Sequence, residues 1–185
     1  MSSGYVFDRA EGEEERRLEA QARVIDPLTE RLFRAAGLES GMRVLDLGSG
    51  AGDVSMLVAR IVGSEGAVVG VDASPEAITT ARRRAENAGF PNVTFRHGDM
   101  RELDTALDPE VSLFDAVVGR FILQFAPDPA LVLRGAAERV RPGGLVCFQE
   151  GDDLYTWAYL GNRAQPVATS RKIEGKECHE EGPPR

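Results

Sequence analysis

Length, composition and charge describe a single acidic domain. The 185 residues can bury a sizeable core but are too few for two full domains. A hydrophobic content of 42% is typical of a soluble globular protein, and no apolar run approaches the ~18 residues that a membrane span needs. The net charge of -8 argues against a nucleic-acid backbone as partner, and early charged residues at positions 11–17 argue against a signal peptide. We therefore expect a cytoplasmic protein that binds neither nucleic acid nor membrane.

The cysteines and histidines have no metal-ligand spacing. Cys147 lies in an apolar run and Cys178 in a polar tail, without a C-x-x-C pair. Because the chain has only two histidines, a histidine-rich metal site is not expected either. The sequence predicts no bound metal.

The N-terminal segment, up to Gly37, has a helical pattern. Between residues 12 and 36, apolar side chains recur at steps of three or four, which places them on one helical face. Asp26-Pro27 matches an N-cap followed by the first helical position, and a proline deep inside a helix costs about 3 kcal/mol. We therefore expect two helices that break near Asp26 and end at Gly37.

A short apolar run, Val44–Leu47, then breaks into glycines at alternate positions. It predicts a buried strand, a tight turn and the start of a helix that Asp53 can cap. A phosphate-binding loop would need Gly-Lys-Ser/Thr after the last glycine, where this chain has Gly52-Asp53-Val54. At an effective dielectric of 20, a carboxylate such as Asp46 about 4 Å from a ligand charge contributes roughly 4 kcal/mol in favour of a cation. The loop suits a positively charged nucleoside better than a pyrophosphate.

This stretch resembles the first motif of class I S-adenosylmethionine-dependent methyltransferases. The matching pattern is Asp46-x-Gly48-x-Gly50-x-Gly52, with Ser49 inside it. The cofactor of that family carries an ammonium and a sulfonium and no phosphate, so the resemblance implies that these residues bind S-adenosylmethionine. The alternative is an ordinary strand-to-helix turn in which the glycines serve geometry alone. In many small-molecule members an N-terminal segment covers the cofactor, which suggests that residues 1–37, including Tyr5 and Phe7, form a lid.

A second buried strand, Ala67–Asp72, also ends in an acid. Asp72 follows Gly52 by 20 residues, the distance at which a doubly wound nucleotide fold places a carboxylate on the ribose hydroxyls. The resemblance implies the same role, with Ala73 beside it in the cofactor site. The alternative is that Asp72 caps the turn before Ser74-Pro75, where the next helix begins.

A third strand, Val93–Arg96, leads into two further residues that the resemblance implies for the cofactor. Asp99 resembles the acid that hydrogen-bonds the adenine amino group, and Met100 would pack against the ring. His97 is interpreted as a strand-end residue rather than a catalytic base.

The fourth strand, Phe114–Gly119, is followed by a sequence that differs from methyltransferases of nucleic-acid amino groups. Those enzymes carry Asn/Asp-Pro-Pro-Tyr/Phe here, and Gly119-Arg120-Phe121-Ile122 does not match. Arg120 at the strand end either holds the cofactor carboxylate or forms a surface ion pair. After a helix begun by Asp128-Pro129 and a sharp turn at 141–144, the fifth strand covers 145–150. Glu150, Asp152 and Asp153 stand where substrate-facing residues are expected.

Five apolar strands alternating with helices predict an α/β fold, a doubly wound and mainly parallel sheet with helices on both faces. Its ligand crevice lies beyond the carboxyl ends of the strands, where Asp46, Asp72, Asp99 and Arg120 all fall. We divide the chain into the N-terminal helical lid (1–37), the S-adenosylmethionine-binding domain (38–160) and a disordered tail (161–185).

The C-terminus departs from the family, whose members continue with a helix and an antiparallel strand pair. Few apolar residues follow Gly161, so we expect that strand pair to be missing and the fifth strand to be a bare apolar edge open to self-association. Three explanations are considered: a truncated or altered reading frame, an edge covered by a partner copy, or residues 153–160 folding back over the edge.

Three functions are compared. The first is an enzyme that transfers a methyl group from S-adenosylmethionine to a small organic molecule by in-line displacement, with no catalytic residue assigned. The second is a cofactor-binding or partner-binding module without turnover, because the C-terminal part of the fold is expected to be missing. A nicotinamide oxidoreductase is disfavoured, since Asp53 occupies the third-glycine position of the dinucleotide motif and no hydride-transfer dyad is apparent.

Overall fold

A seven-stranded sheet with helices on both faces forms the body of the protein. The computed structural model describes residues 25–107, 113–150, 156–160 and 166–168. The helices are α1 (residues 25–36), α2 (Asp53–Val62), α3 (Pro75–Asn87), α4 (Leu103–Ala106) and α5 (Pro129–Glu138), with a 3-10 helix at Leu123–Phe125. The strands are β1 (Arg43–Leu47), β2 (Ala67–Asp72), β3 (Val93–His97), β4 (Phe114–Arg120), β5 (Val140–Gln149), β6 (Thr156–Leu160) and β7 (Pro166–Ala168).

The first five strands pair in parallel, which confirms the predicted doubly wound sheet. The spatial order is β3-β2-β1-β4-β5-β6-β7, so the chain reverses direction across the sheet between β3 and β4. In such a sheet the ligand crevice lies where the strand order reverses, beyond the carboxyl ends of the strands. The ends of β1, β2 and β4 meet at that point.

Two apolar clusters fill the space between the sheet and its helices. Neighbouring residues of β1 alternate between them: Val44 belongs to the cluster with Phe33 of α1 and Leu57 of α2, and Leu45 to the cluster with Val132 of α5. Both faces of the central strand are therefore buried, as expected for a parallel sheet covered by helices.

Two helix boundaries follow from capping residues that the sequence contains. Ser74 Oγ accepts the Ala77 N–H at 3.1 Å to begin α3, and the Asp128 carboxylate accepts the Leu131 N–H at 3.1 Å to begin α5. The predicted cap of α2 is wrong: Asp53 is its first residue and accepts a hydrogen bond from Arg84, and the N-cap Gly52 has no side chain to cap it. Gly37, with φ 105°, follows α1 as predicted. The predicted break near Asp26 is not seen within the described part of α1, and the first of the two predicted helices lies outside the described residues.

The predicted absence of the antiparallel strand pair is wrong. β6 pairs antiparallel with β5 and β7 pairs antiparallel with β6, so residues within 153–160 fold back over the fifth strand. The run Thr156–Leu160 contains Trp157 and Tyr159, residues that favour strands, and the open β5 edge supplies hydrogen-bond partners. The β5 edge is therefore covered by β6 and is not bare as predicted. The reason to expect self-association through that edge is removed.

Two smaller expectations also need correction. The sharp turn predicted at 141–144 lies within β5, where the register against β4 shifts between Phe114 and Ala116. In the range 161–185, predicted to be disordered, Pro166–Ala168 form β7, and the other residues lie outside the described part of the chain. Within that described part, no helix has the length and apolar character to cross a bilayer.

Candidate cofactor site

A cavity of about 570 Å³ opens at the carboxyl ends of the strands, where the sequence placed the ligand crevice. Residues at or after the ends of β1, β2, β3 and β4 all contribute to its walls. They are Gly48, Val71, Asp72, Ala73, Ser74, Pro75, Glu76, Gly98, Asp99, Met100, Arg101, Ile122, Phe125 and Pro127. Five of the predicted cofactor residues line it: Gly48, Asp72, Ala73, Asp99 and Met100.

The glycine loop after β1 is tied to the end of β2. The Gly48 and Ser49 N–H groups both donate to the Val71 carbonyl, at 2.8 and 3.0 Å. Gly48 has φ 68°, and a Cβ there would lie 2.3 Å from Cγ1 of Ile122, so only glycine fits beneath that side chain. The turn therefore has the close approach and positive φ that its glycines predicted.

Asp72 connects three parts of the site. Its Oδ2 accepts the Gly50 N–H at 2.8 Å, and its Oδ1 accepts the Ser74 N–H at 2.8 Å at the start of α3. An ionised carboxylate has about four acceptor positions, so two remain for a ligand. Asp72 thus does cap the turn before Ser74, as the alternative interpretation held, and it also faces the cavity.

Asp99 lines the cavity, but it forms an ion pair with Arg101 that the sequence did not predict. Its two oxygens are paired with the guanidinium of Arg101, and Oδ1 also accepts the Arg101 N–H at 2.8 Å. The hydrogen bonds from Arg101 lower the pKa of Asp99, which keeps the carboxyl group ionised. Arg101 is a cavity residue that the sequence analysis missed; its only signal was a cation two positions after an acid.

Asp46 is buried below the glycine loop rather than at the cavity surface. The residue is 1% exposed, and its Oδ2 accepts a hydrogen bond from Ser55 Oγ at 2.6 Å. Burial raises the pKa of Asp46 from 3.8 to about 7. Its Oδ1 and the Ser49 Oγ are the buried side-chain polar atoms without a partner within the described ranges.

Ser49, Gly50 and Gly52 shape the loop without lining the cavity. Gly52 has φ 89°, and a Cβ there would lie 2.9 Å from Cζ of Phe95. Gly50 has φ 51°, and no atom lies within 4 Å of the position that its Cβ would take. Gly52 is therefore needed for packing against Phe95 of β3, whereas the space beside Gly50 is open.

Arg120 fits neither of its two interpretations as stated. Its guanidinium donates to Asp26 Oδ1 at 2.8 Å and to Thr29 Oγ1 at 3.0 Å, both on α1, and it does not line the cavity. The pair is largely buried, since only 10% of the Arg120 side chain is exposed, so it is not a surface ion pair. Thr29 Oγ1 in turn lies 2.6 Å from Gln149 Oε1. Arg120 fastens α1 across the ends of β4 and β5.

Glu150 also has a role that differs from the expected one. Its carboxylate accepts hydrogen bonds from the backbone after β4, at Ile122 and Leu123, instead of facing a substrate. Asp152 and Asp153 lie outside the described residues. His97 is an exposed residue at the end of β3 with Nε2 3.1 Å from the Ala73 carbonyl, as its interpretation as a strand-end residue predicted.

The charge of the cavity indicates the kind of ligand that it suits. Its walls carry the carboxylates of Asp72, Glu76 and Asp99 and one guanidinium, that of Arg101, which Asp99 already pairs. Hydrogen bonds that the Glu76 carboxylate accepts from its own backbone N–H and from the Ser74 hydroxyl lower the pKa of Glu76. A net negative cavity favours a cation over a phosphate. The residues present therefore fit a cationic nucleoside.

Fold and site together define a doubly wound α/β domain with a net negative cavity at the strand ends, and sequence comparison supplies the family. A family model described as a methyltransferase domain matches residues 38–180. The chain belongs to this methyltransferase domain family. The cofactor that the family and its solved members imply is S-adenosylmethionine.

Individual relatives share only part of their length with this chain. An arsenite methyltransferase of Aquipseudomonas alcaligenes is 38% identical over 120 residues, which cover 63% of this chain and 34% of the relative. A demethylmenaquinone methyltransferase of Staphylococcus aureus is 32% identical, covering 65% and 47% of the two chains. The crystal structure of an arsenic(III) S-adenosylmethionine methyltransferase of Chlamydomonas reinhardtii is 37% identical with a TM-score of 0.54, covering 59% and 38%. The chain thus spans between about a third and a half of these proteins.

Proposed function

We propose that the chain binds S-adenosylmethionine in the cavity at the strand ends and transfers its methyl group to a small organic molecule. The observation that carries the proposal is the net negative cavity bordered by the glycine loop, with Asp72 and Asp99 on its walls. S-adenosylmethionine supplies a methyl group that is already activated by its sulfonium. The protein has mainly to align and desolvate the reactants, which can supply roughly 7 to 11 kcal/mol.

Each predicted cofactor residue except Arg120 has a proposed task. Asp72 accepts hydrogen bonds from the ribose hydroxyls through its two remaining acceptor positions, Asp99 accepts one from the adenine amino group, and Met100 packs against the ring. Gly48, Ser49, Gly50 and Gly52 form the loop around the methionine part, with Ala73 beside the ribose. Asp46 and Ser49 support the loop from below, where the Asp46 Oδ1 and the Ser49 Oγ are buried without a partner.

The acceptor is proposed to be an organic molecule rather than a soft metalloid such as the arsenite named for several relatives. Soft thiolates are the usual ligands for such species. Cys147, the free cysteine in the described part of the chain, is buried, and burial raises the pKa of its thiol to about 12. It is therefore neither accessible nor a thiolate at neutral pH. Within the same residues, no group of three or more His, Cys, Asp or Glu side chains is placed to hold a metal ion.

Binding and turnover are tested separately. Calorimetric titration of the 185-residue chain with S-adenosylhomocysteine should show binding, with NAD as the negative control; binding of NAD alone would contradict the cofactor assignment. Transfer of label from methyl-labelled S-adenosylmethionine is then measured with phenolic, quinol and amine acceptors, and with arsenite plus a thiol. Labelled organic product supports the proposal, whereas methylated arsenic alone would overturn the proposed acceptor class.

The second candidate is a binding module without turnover, and the reason for considering it no longer holds. That reason was the expected absence of the antiparallel strands, and β6 and β7 are present. It would nevertheless be supported if the chain bound S-adenosylhomocysteine and transferred no label to any acceptor in the panel.

A further inference from the structure

The carboxylate of Glu150 holds the backbone that follows β4. Its Oε1 accepts the N–H groups of Ile122 and Leu123, both at 3.0 Å, and its Oε2 accepts that of Gln124 at 3.4 Å. Hydrogen bonds to an ionised acceptor are stronger than neutral ones. One side chain at the end of β5 thus holds three consecutive peptide groups that follow the neighbouring strand, β4.

The residue before this segment has a strained backbone. Phe121 has φ 56°, the one positive φ at a non-glycine residue in the described ranges, and its N–H donates to the Gln149 carbonyl at 2.7 Å. The left-handed conformation costs an L-residue about 1 to 2 kcal/mol, and such strain persists only where the surroundings enforce it. The end of β5 enforces it from both sides, through the Gln149 carbonyl and the Glu150 carboxylate.

The segment carries one wall of the cavity. Ile122 is buried, lines the cavity and occupies the space directly over Gly48. Phe125, which is 58% exposed, and Pro127 continue the same wall. Because β4 and β2 flank β1 on opposite sides, this wall faces the one formed by Asp72 and the start of α3 across the glycine loop.

We propose that Glu150 is a positioning residue for the cofactor: by holding residues 122–124, it keeps Ile122 over the glycine loop and fixes the width of the cavity. This inference rests on the proposed function. Glu150 does not line the cavity, so it acts through the segment that it holds, in which Ile122 is the residue that lines the cavity.

The test compares S-adenosylhomocysteine affinity by calorimetry in the 185-residue chain and its variants. Glu150→Ala removes all three hydrogen bonds and should weaken binding about tenfold. Glu150→Gln keeps one acceptor oxygen for Ile122 and Leu123 and should recover most of the affinity. Glu138→Ala is the matched control, because Glu138 is exposed at the end of α5, just before the start of β5, whereas Glu150 follows the other end of that strand; this variant should bind like the unsubstituted chain.

A double-mutant cycle with Ile122→Ala distinguishes positioning from a general loss of structure. If Glu150 acts through Ile122, the double variant should bind no more than about twofold more weakly than Ile122→Ala alone. Should Glu150→Ala fail to fold, Glu150→Asp, whose shorter side chain keeps the charge but not the reach to the three N–H groups, replaces it in the cycle with the same criterion. Additive losses, or unchanged affinity in Glu150→Ala, would overturn the inference, whereas no binding by the unsubstituted chain would overturn the proposed function instead.

Discussion

Asp72 and Gly50 are joined by a hydrogen bond of 2.8 Å between the carboxylate Oδ2 and the backbone N–H. This contact fixes the glycine loop after β1 to the end of β2, beside the cavity that Asp72 lines. The same side chain accepts the Ser74 N–H at the start of α3. The proposed ribose-binding acid therefore also organises the two backbone segments beside it.

Replacing Asp72 should abolish most cofactor binding. In Asp72→Asn, the amide nitrogen must face either the Gly50 or the Ser74 N–H, so one donor loses its acceptor. We expect S-adenosylhomocysteine affinity to fall about 10- to 100-fold, the value of a hydrogen bond to a charged group. Calorimetry measures it, with Glu65→Gln, an exposed acid before β2, as the control. Undiminished binding would remove Asp72 from the cofactor site.

Gly52→Ala should destabilise the fold by more than its backbone strain alone. The new Cβ would lie 2.9 Å from Cζ of Phe95 at φ 89°, so overpacking of about 1 to 3 kcal/mol adds to the cost of the left-handed conformation. Gly89→Ala is the control, since Gly89 has φ 72° but no atom within 4 Å of its Cβ position. Urea denaturation should give a larger loss of unfolding free energy for Gly52→Ala; equal losses would contradict the packing argument.

The parts of the fold and site that could be predicted are those with a local signal. Asp46, the glycines and Asp72 are recognisable because a short apolar run, alternate glycines and a spacing of 20 residues lie along the chain. Arg120 could not be predicted in the same way, because its partner Asp26 is 94 residues away and nothing near either residue indicates the pair. Glu150 and Ile122 are 28 residues apart and meet only because β4 and β5 are neighbours.

The error at the C-terminus has a different cause. The low apolar content after Gly161 carries no information about β6, which lies before that point and needs only a free edge to pair with. A strand at the side of a sheet is stabilised by its backbone hydrogen bonds to the neighbour, and a three-residue strand such as β7 leaves almost no pattern in the sequence. Whether such a strand forms depends on the neighbouring strand with which it can pair, and the composition of the segment does not reveal that neighbour.

Removing the ion pair between Arg120 and Asp26 should loosen α1. Arg120→Ala leaves the largely buried Asp26 carboxylate without its main partner, and we expect a loss of unfolding free energy of about 2 kcal/mol. Asp26→Ala/Arg120→Ala should lose less than the sum of the single variants, because neither charge is left unpaired. Urea denaturation measures all three. Arg134→Ala serves as the control, since its pair with Asp128 is 3.8 Å long and exposed.

Asp46 should make the protein less stable as pH rises from about 4 to 7. Burial raises its pKa from 3.8 to about 7, so between these values the folded chain holds a proton that the unfolded chain releases. The free energy of unfolding therefore decreases across this window, by up to about 4 kcal/mol, and this contribution levels off above it. Urea denaturation at several pH values measures the slope, which Asp46→Asn should flatten. Asp115→Asn is the control: hydrogen bonds from the Arg43 backbone and from Arg141 lower the pKa of Asp115, so its contribution changes only below about pH 4. An unchanged slope in Asp46→Asn would show that another group holds the proton.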